Sequence, residues 1–405
     1  MAELLETIDK IQAETANMKE AFKGEGANVR DLRMGARKKD PKYMQKLSEA
    51  ARLLADVKQG RKPMFYLKEA MTTSDFPLLF GDIIDRQLLT GYEATPNTWS
   101  NYIREGTVPD FRTVSRHTMD GGEGRLDNVY KVGEKEEYKY RGLSEGRYQY
   151  SVEKYGNKFD FSWEVMINDD LGAFDNIPAK MGRAAARTEE WRATELFVDA
   201  TGPHDSLYRT DHGPNDDQRN IITDNPSLSI EGLQTAMTVL GEMLDEDDEP
   251  IMVDHIHLVV PPALEVTAQN ILNAIQLEID GGGGGGTTNQ VLHAQNWMSN
   301  RMTLHVNYYI PVIATTGDFG QDSWFLFADP NTNRPAAELG FLRGYRDPQL
   351  FRKAPNAMLV GANQQVDPMN GDFDSDNIEF KVRHVLGGAQ MDFRATCASD
   401  GSGSE

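Results

Sequence analysis

The 405-residue sequence predicts an α+β fold with extended segments projecting from its packed core. Three observations carry that expectation. Helical periodicity marks the first sixty residues, strand alternation takes over after Asp110, and one long helix precedes a compact mixed unit.

The elements follow in chain order. Leu4, Ile8, Ile11, Met18 and Phe22 share one face of a predicted helix over residues 3–22, with Thr15 the one polar interruption. Residues 24–40 are Gly- and Arg-rich and read as a flexible basic linker. A second helix starts at Pro41, with Met44, Leu47, Ala51, Leu54 and Val57 on one face. An apolar face must be buried against something, and neither helix has an evident partner in its own segment, so the pair reads as an arm that docks elsewhere. Asp75 and Pro77 start a third helix that runs to Gly91.

Strand signals begin near Asp110. Phe159, Phe161, Trp163 and Val165 alternate with Lys158, Asp160, Ser162 and Glu164, which predicts a strand with one buried face. Between Asp120 and Gly156 the chain is polar and Tyr-rich. Tyr138 and Tyr140, then Tyr148 and Tyr150, alternate on either side of Ser144–Gly146. The pattern predicts an extended hairpin with too little apolar content for its own core, stable only when laid on a neighbour. Asp175 is the expected N-cap of a helix running to about Asp199, with Pro178 in its first turn.

After a polar loop at 201–226, an α/β unit is expected: a helix over 229–245, a strand over Ile251–Val260 and a helix opened by Pro261–Pro262. Short strands are predicted near 302–306, 310–314, 323–328 and 337–344. The chain should close on an antiparallel pair, Ile378/Phe380/Val382 against Met391/Phe393.

Composition limits the function. The balance of 39% hydrophobic and 26% charged residues is that of a globular protein. No window approaches the ~18 apolar residues of a membrane span. The charged Met1–Lys10 segment lacks a signal-peptide core, so synthesis and assembly in a cytoplasm are expected. One cysteine, Cys397, excludes an intrachain disulfide framework. The net charge is −21, yet residues 1–70 carry 15 Lys and Arg against 11 Asp and Glu, so the remainder carries −25. Wrapping DNA requires cations that displace its counterions. Most of this chain would instead repel nucleic acid, and the charge also serves solubility.

Order and residues together resemble the Hong Kong phage-type capsid fold of tailed-bacteriophage major capsid proteins. The run YGNKFDFSWEVMINDDLGAFDNIPAKMGRAAAR, Tyr155–Arg187, resembles the segment joining extended loop to spine helix in Mu-type major head subunits. AAELGFLRGYRDPQLF, Ala336–Phe351, is similar to the end of their axial domain, and FDSDNIEFKVRHVLGGAQMDFR, Phe373–Arg394, to their closing peripheral strands. The resemblance implies an N-terminal arm at 1–74, a first peripheral part at 75–118 and an extended loop at 119–157. It further implies a peripheral domain with spine helix at 158–228, an axial domain at 229–360 and return strands with tail at 361–405.

The function so implied is a non-enzymatic virion subunit. It would assemble in the host bacterial cytoplasm into hexamers and pentamers of an icosahedral head, enclosing DNA without sequence-specific binding. Other copies of the chain are the main expected partners; scaffold, portal and decoration proteins are further candidates, and no cofactor, metal or membrane is expected. Candidate assembly contacts are Lys131, Lys135, Lys139, Tyr138, Tyr140, Tyr148 and Tyr150 in the loop, Asp169, Asp170, Arg183 and Arg187 around the spine helix, and Arg343 and Arg346 after the axial domain. In some relatives of the fold a loop lysine joins covalently to a neighbour's Asn; Lys131, Lys135 and Lys139 lie in that region, while no Asn is singled out.

Competing chemistry is weaker. His255 and His257 would share one side of a strand, but zinc needs at least three protein ligands and no third His lies in a comparable motif, so a solvated strand face is expected. The turn Asp245–Glu249 lacks EF-hand spacing. The glycines at 281–286 precede Thr287 and Thr288 rather than the Lys-Ser/Thr of a phosphate loop, and read as a surface loop. Asp169 and Asp170 are expected to pair with Arg183 or Arg187 or to stay solvated. A metal-dependent hydrolase built on the two histidines, and an encapsulating compartment of host origin, remain the alternatives.

Overall fold

The computed structural model describes residues 41–58, 61–62, 76–120, 144–162, 171–212, 218–245, 250–251, 253–274, 276–281, 290–296, 298, 301–332, 334–353, 358–359, 364–365 and 377–403. The chain divides into two compact units. One comprises Met1–Pro96, Glu153–Glu189 and Leu342–Leu386; the other comprises Asn97–Val152, Glu190–Phe341 and Gly387–Glu405. The helix expected at 3–22 lies outside the described residues.

In the first unit, strand Asn377–Gln390 is paired over its Asn377–Leu386 portion with Glu153–Ser162 on one side and with Gln349–Arg352 on the other, both antiparallel. The period-2 alternation is obeyed: Ile378 and Phe380 are buried with Phe159, Leu350 and Ile84 against them. The Phe159 and Phe380 rings stack with centroids 5.3 Å apart. Helices Pro41–Lys58 and Phe76–Glu93 also pack together here. The predicted stripe residues Leu47 and Ala51 are fully buried. Helix 41–58 thus finds its apolar partner within its own unit, a correction to the expectation that it docks elsewhere.

Helix Phe76–Glu93 meets the long helix Leu171–Thr194 through two glycines. A Cβ on Gly91 would fall inside 3.0 Å of the Ala179 backbone, and one on Gly182 inside 3.0 Å of Leu88 O. Gly91 is therefore required by the close approach of two backbones. The long helix starts before Asp175, so Asp175 lies in its interior rather than at the N-cap, and Pro178 is also internal.

The second unit is built on a four-stranded sheet ordered Met302–Val306, Ile256–Val260, Trp324–Ala328, Thr396–Ser399. The first two run parallel and the other pairings are antiparallel. Alternate residues serve opposite faces. Leu258, Val260, Trp324, Leu326 and Cys397 belong to one core cluster with Leu233, Ala236 and Leu240 of helix Ile230–Gly241 and Ala268 and Leu272 of helix Glu265–Asn273. The other face holds an aromatic layer. Tyr102 lies 5.2 Å from Phe327 and 5.9 Å from Phe197 between ring centroids, and Phe197 lies 5.1 Å from Phe325. Because both faces are covered, the two central strands are buried along their whole length and read in sequence as apolar runs rather than alternation. Ser229 caps helix Ile230–Gly241, its side chain accepting from Gly232 N.

Two strand expectations are corrected. Residues 310–313 form a helical turn, entered through Pro311, rather than a strand. The C-terminal pair does not form as expected: residues 377–390 are one strand, Phe393 sits in a 3-10 turn, and Thr396–Ser399 instead pairs with Trp324–Phe327.

Candidate assembly sites

The hairpin is the first candidate. Strand Val114–Asp120 pairs antiparallel with Ser144–Tyr150, from Val114 opposite Tyr150 to Asp120 opposite Ser144. Ser144–Gly146 is thus part of the returning strand. Among the described residues these two strands pair only with each other. Of the predicted contacts, Tyr148 is half-buried opposite Arg116, whereas Tyr150 is buried. Lys131, Lys135, Lys139, Tyr138 and Tyr140 lie outside the described residues.

At the hairpin base the Tyr150 hydroxyl donates to Oε1 of Glu338, a buried residue of strand Ala337–Leu342. Arg116 Nε donates to the same oxygen at 2.7 Å, and its Nη2 donates to Thr107 O at 3.1 Å. Burial, followed by the Glu338 contact and charge, pushes the Tyr150 hydroxyl well above its ordinary pKa. Two glycines make the room. A Cβ on Gly340 would strike the Tyr150 ring, and one on Gly106 would strike the Glu338 carboxylate and the Tyr150 hydroxyl.

A second buried carboxylate organises the first unit. Glu189 is fully buried near the end of that unit's part of the long helix. Its Oε1 accepts from the Tyr92 hydroxyl at 2.6 Å, from His384 Nε2 at 2.7 Å and from Arg346 Nη1 at 3.1 Å. Arg346 Nη1 also donates to the Tyr92 oxygen at 2.6 Å. Burial and then the Glu189 charge raise the Tyr92 hydroxyl. Arg346, a predicted contact, thus also ties three segments of its own unit together, with a third of its side chain still exposed. Arg343 and Arg187 are exposed, Arg183 is half-buried, and Asp169 and Asp170 lie outside the described residues.

The histidines are placed differently from expectation. His257 is buried, not solvated, because both faces of its sheet are covered. A third histidine that the sequence reading missed, His305, sits on the adjacent parallel strand, and its Nε2 is 3.0 Å from His257 Nδ1. His255 Nε2 is 2.8 Å from Thr303 Oγ1. Burial, then His257 and His255, lowers the His305 pKa to about 4. Burial also lowers that of His257, helped by His255 and opposed by Asp329. The two imidazoles satisfy each other. Among the described residues no group of three His, Cys, Asp or Glu is placed to hold a metal ion, and no helix is long and apolar enough to cross a membrane.

Glu189, Glu338 and Arg116 also escaped the sequence reading. The signal was present: Glu189 falls on the Ala185/Ala186 face of an amphipathic helix, and Glu338 sits within the apolar run AAELGFL. A carboxylate where a strand or helix turns inward needs a partner.

Both carboxylate clusters hold distant segments of the chain in place. The family model for phage capsid proteins matches residues 147–399, more than half of the chain, and the chain belongs to that family. It is a capsid subunit of the virion, not an enzyme. Solved structures are similar at low identity. The virus-like particle of Pyrococcus furiosus is 10% identical with a TM-score of 0.44, covering 79% of this chain and 99% of that one. The capsid of Ralstonia phage GP4 is 11% identical with a TM-score of 0.47, covering 73% and 86%. The capsid of cyanophage P-SCSP1u is 12% identical with a TM-score of 0.42, covering 75% and 88%. No curated protein sequence matches the chain.

Proposed function

We propose that this capsid protein forms hexamers and pentamers that close into an icosahedral head around double-stranded DNA, assembling in the host bacterial cytoplasm. The observation that carries the reading is the hairpin. Its two described strands pair only with each other, and a two-stranded ribbon is at best marginally stable in water. A neighbouring copy supplies the missing cover, and closed symmetry multiplies each modest contact over the shell. The net charge of −21 suits a wall that must not bind its contents tightly. The extended loop at 119–157, the part of the arm before Pro41 and the tip around 281–286 are its working surfaces. The Mu-type resemblance belongs to the same reading, as do scaffold, portal and decoration proteins as further partners.

The test replaces residues 121–143 by a two-residue turn, leaving Val114–Asp120 and Ser144–Tyr150 in place. Electron microscopy should show folded subunits or small capsomers and no heads. Normal heads from that variant would refute the role given to the hairpin.

A further inference from the structure

A ribbon that must reach a neighbour has to leave its own body in a defined direction, and the hairpin base contains a device suited to that. Arg116 belongs to the outgoing strand and Tyr150 to the returning one, two pairs apart along the ladder. Both donate to one oxygen, Oε1 of Glu338. A ribbon held through one strand can pivot about that point. Attachment through both strands to one buried carboxylate removes the pivot.

Three further features sharpen the attachment. Arg116 also reaches the Thr107 carbonyl on strand Arg104–Val108, so the outgoing strand is held at two places. The Tyr150 ring occupies space that a side chain at Gly340 would fill, and the carboxylate occupies space that one at Gly106 would fill. Glu338 itself is buried in a strand otherwise made of Ala, Leu, Gly and Phe. A buried charge is costly unless it is paired, and packing alone would be served as well by an apolar residue. Here its partners are both strands of one projecting ribbon.

We infer that Glu338 is the positioning residue of the hairpin, fixing its exit direction through Arg116 and Tyr150 so that the ribbon is presented to the next subunit ready to dock. The inference deepens the assembly reading above and rests on it for its purpose, though the mount can be measured without any shell. Pre-set direction lowers the ordering cost at docking, the usual benefit of a preorganised contact.

The experiment uses the full chain as unassembled subunits. Glu338→Gln keeps the volume and an acceptor for Tyr150 but removes the charge that holds Arg116. Tyr150→Phe keeps the ring against Gly340 and removes only the hydroxyl. Amide hydrogen exchange is followed in the hairpin strands Val114–Asp120 and Ser144–Tyr150, with Ile256–Val260 as the body control. Both variants should speed hairpin exchange on the order of tenfold to a hundredfold, Glu338→Gln more strongly, while the control strand exchanges as before. Unchanged hairpin exchange in both variants would overturn the mount. Equal acceleration in the control strand would overturn it too, reducing Glu338 to a general stabiliser of its unit. Electron microscopy of the same variants separates the two levels. Loosened ribbons with fewer or misshapen heads support mount and assembly role together. Loosened ribbons with normal heads leave the mount standing and remove hairpin-driven assembly.

Discussion

Truncating Glu189 to Ala should be among the most damaging single changes in the first unit. Three donors converge on its Oε1, and the carboxylate has no exposure to water. Breaking a buried pair by deleting one partner costs about 3–5 kcal/mol, because the remaining polar groups stay desolvated. The share of each donor can be ranked. His384 is buried, and the loss of one buried hydrogen bond costs about 1–3 kcal/mol. Tyr92 is half-buried and contributes a similar or smaller amount. Arg346 keeps a third of its side chain in solvent and can rehydrate, so it adds least. The sum lands at roughly 3–5 kcal/mol for Glu189→Ala. Glu189→Gln, which keeps a carbonyl under the three donors and loses only charge assistance, should cost about half as much. Hydrogen exchange at Ile83–Tyr92 and Ile378–Val382 reads this directly, since about 3 kcal/mol corresponds to roughly a 150-fold loss of protection. If both variants leave protection within threefold of the parent chain, the carboxylate is not the hub of that unit.

Other outcomes follow from the same geometry. Gly182→Ala should force helix Phe76–Glu93 and the long helix apart and lower the melting temperature by several degrees, since its Cβ would fall inside 3.0 Å of Leu88 O; an unchanged melting curve would mean the helices do not touch there. His305 has a lowered pKa, so the unfolded chain binds a proton below about 6.5 that the folded chain takes up only near 4. Stability should therefore be intact above pH 6.5 and fall as pH drops from 6.5 toward 4, by roughly 1–2 kcal/mol after allowing for partial solvent access. His305→Phe should flatten that stretch of the pH profile in denaturant titrations, and a slope unaltered by the substitution would rule the pair out as its source. Cys397 is fully buried and its thiol is held protonated by that burial, so a thiol reagent should modify it only in denaturant, in step with loss of the four-stranded sheet. Fast labelling of the folded subunit would contradict the position of strand Thr396–Ser399.

Much of this architecture is legible without coordinates where one physical pattern dominates. The alternation through Phe159, the stripe of Leu47 and Ala51, and the long helix carrying Ala185 each announce one buried face. Legibility fails where the partner is distant in sequence. The alternation at Met391 and Phe393 looks like the second strand of a closing hairpin, yet Phe393 lies in a turn and the strand that follows, Thr396–Ser399, pairs with the distant Trp324–Phe327. Helix 41–58 seems partnerless because its cover lies beyond Pro63. The N-cap assigned to Asp175 failed for another reason: a proline in a first turn and a proline inside a helix present the same local sequence. Glu189, Glu338 and His305 were missed because each belongs to a constellation drawn from segments far apart in sequence. No spacing rule brings such residues together; only the fold does.

The strand Thr396–Ser399 carries a consequence for how a subunit is born. It lies at the edge of the four-stranded sheet, and its register partners, Trp324–Phe327, leave the ribosome some seventy residues earlier. Until the late segment arrives, strand Trp324–Ala328 presents an open row of amides and carbonyls on that side, the kind of edge that invites aggregation. Translation that stops short of Ser399 therefore yields a chain that cannot finish its own sheet. The sheet closes only once a segment made long after its central strand has arrived.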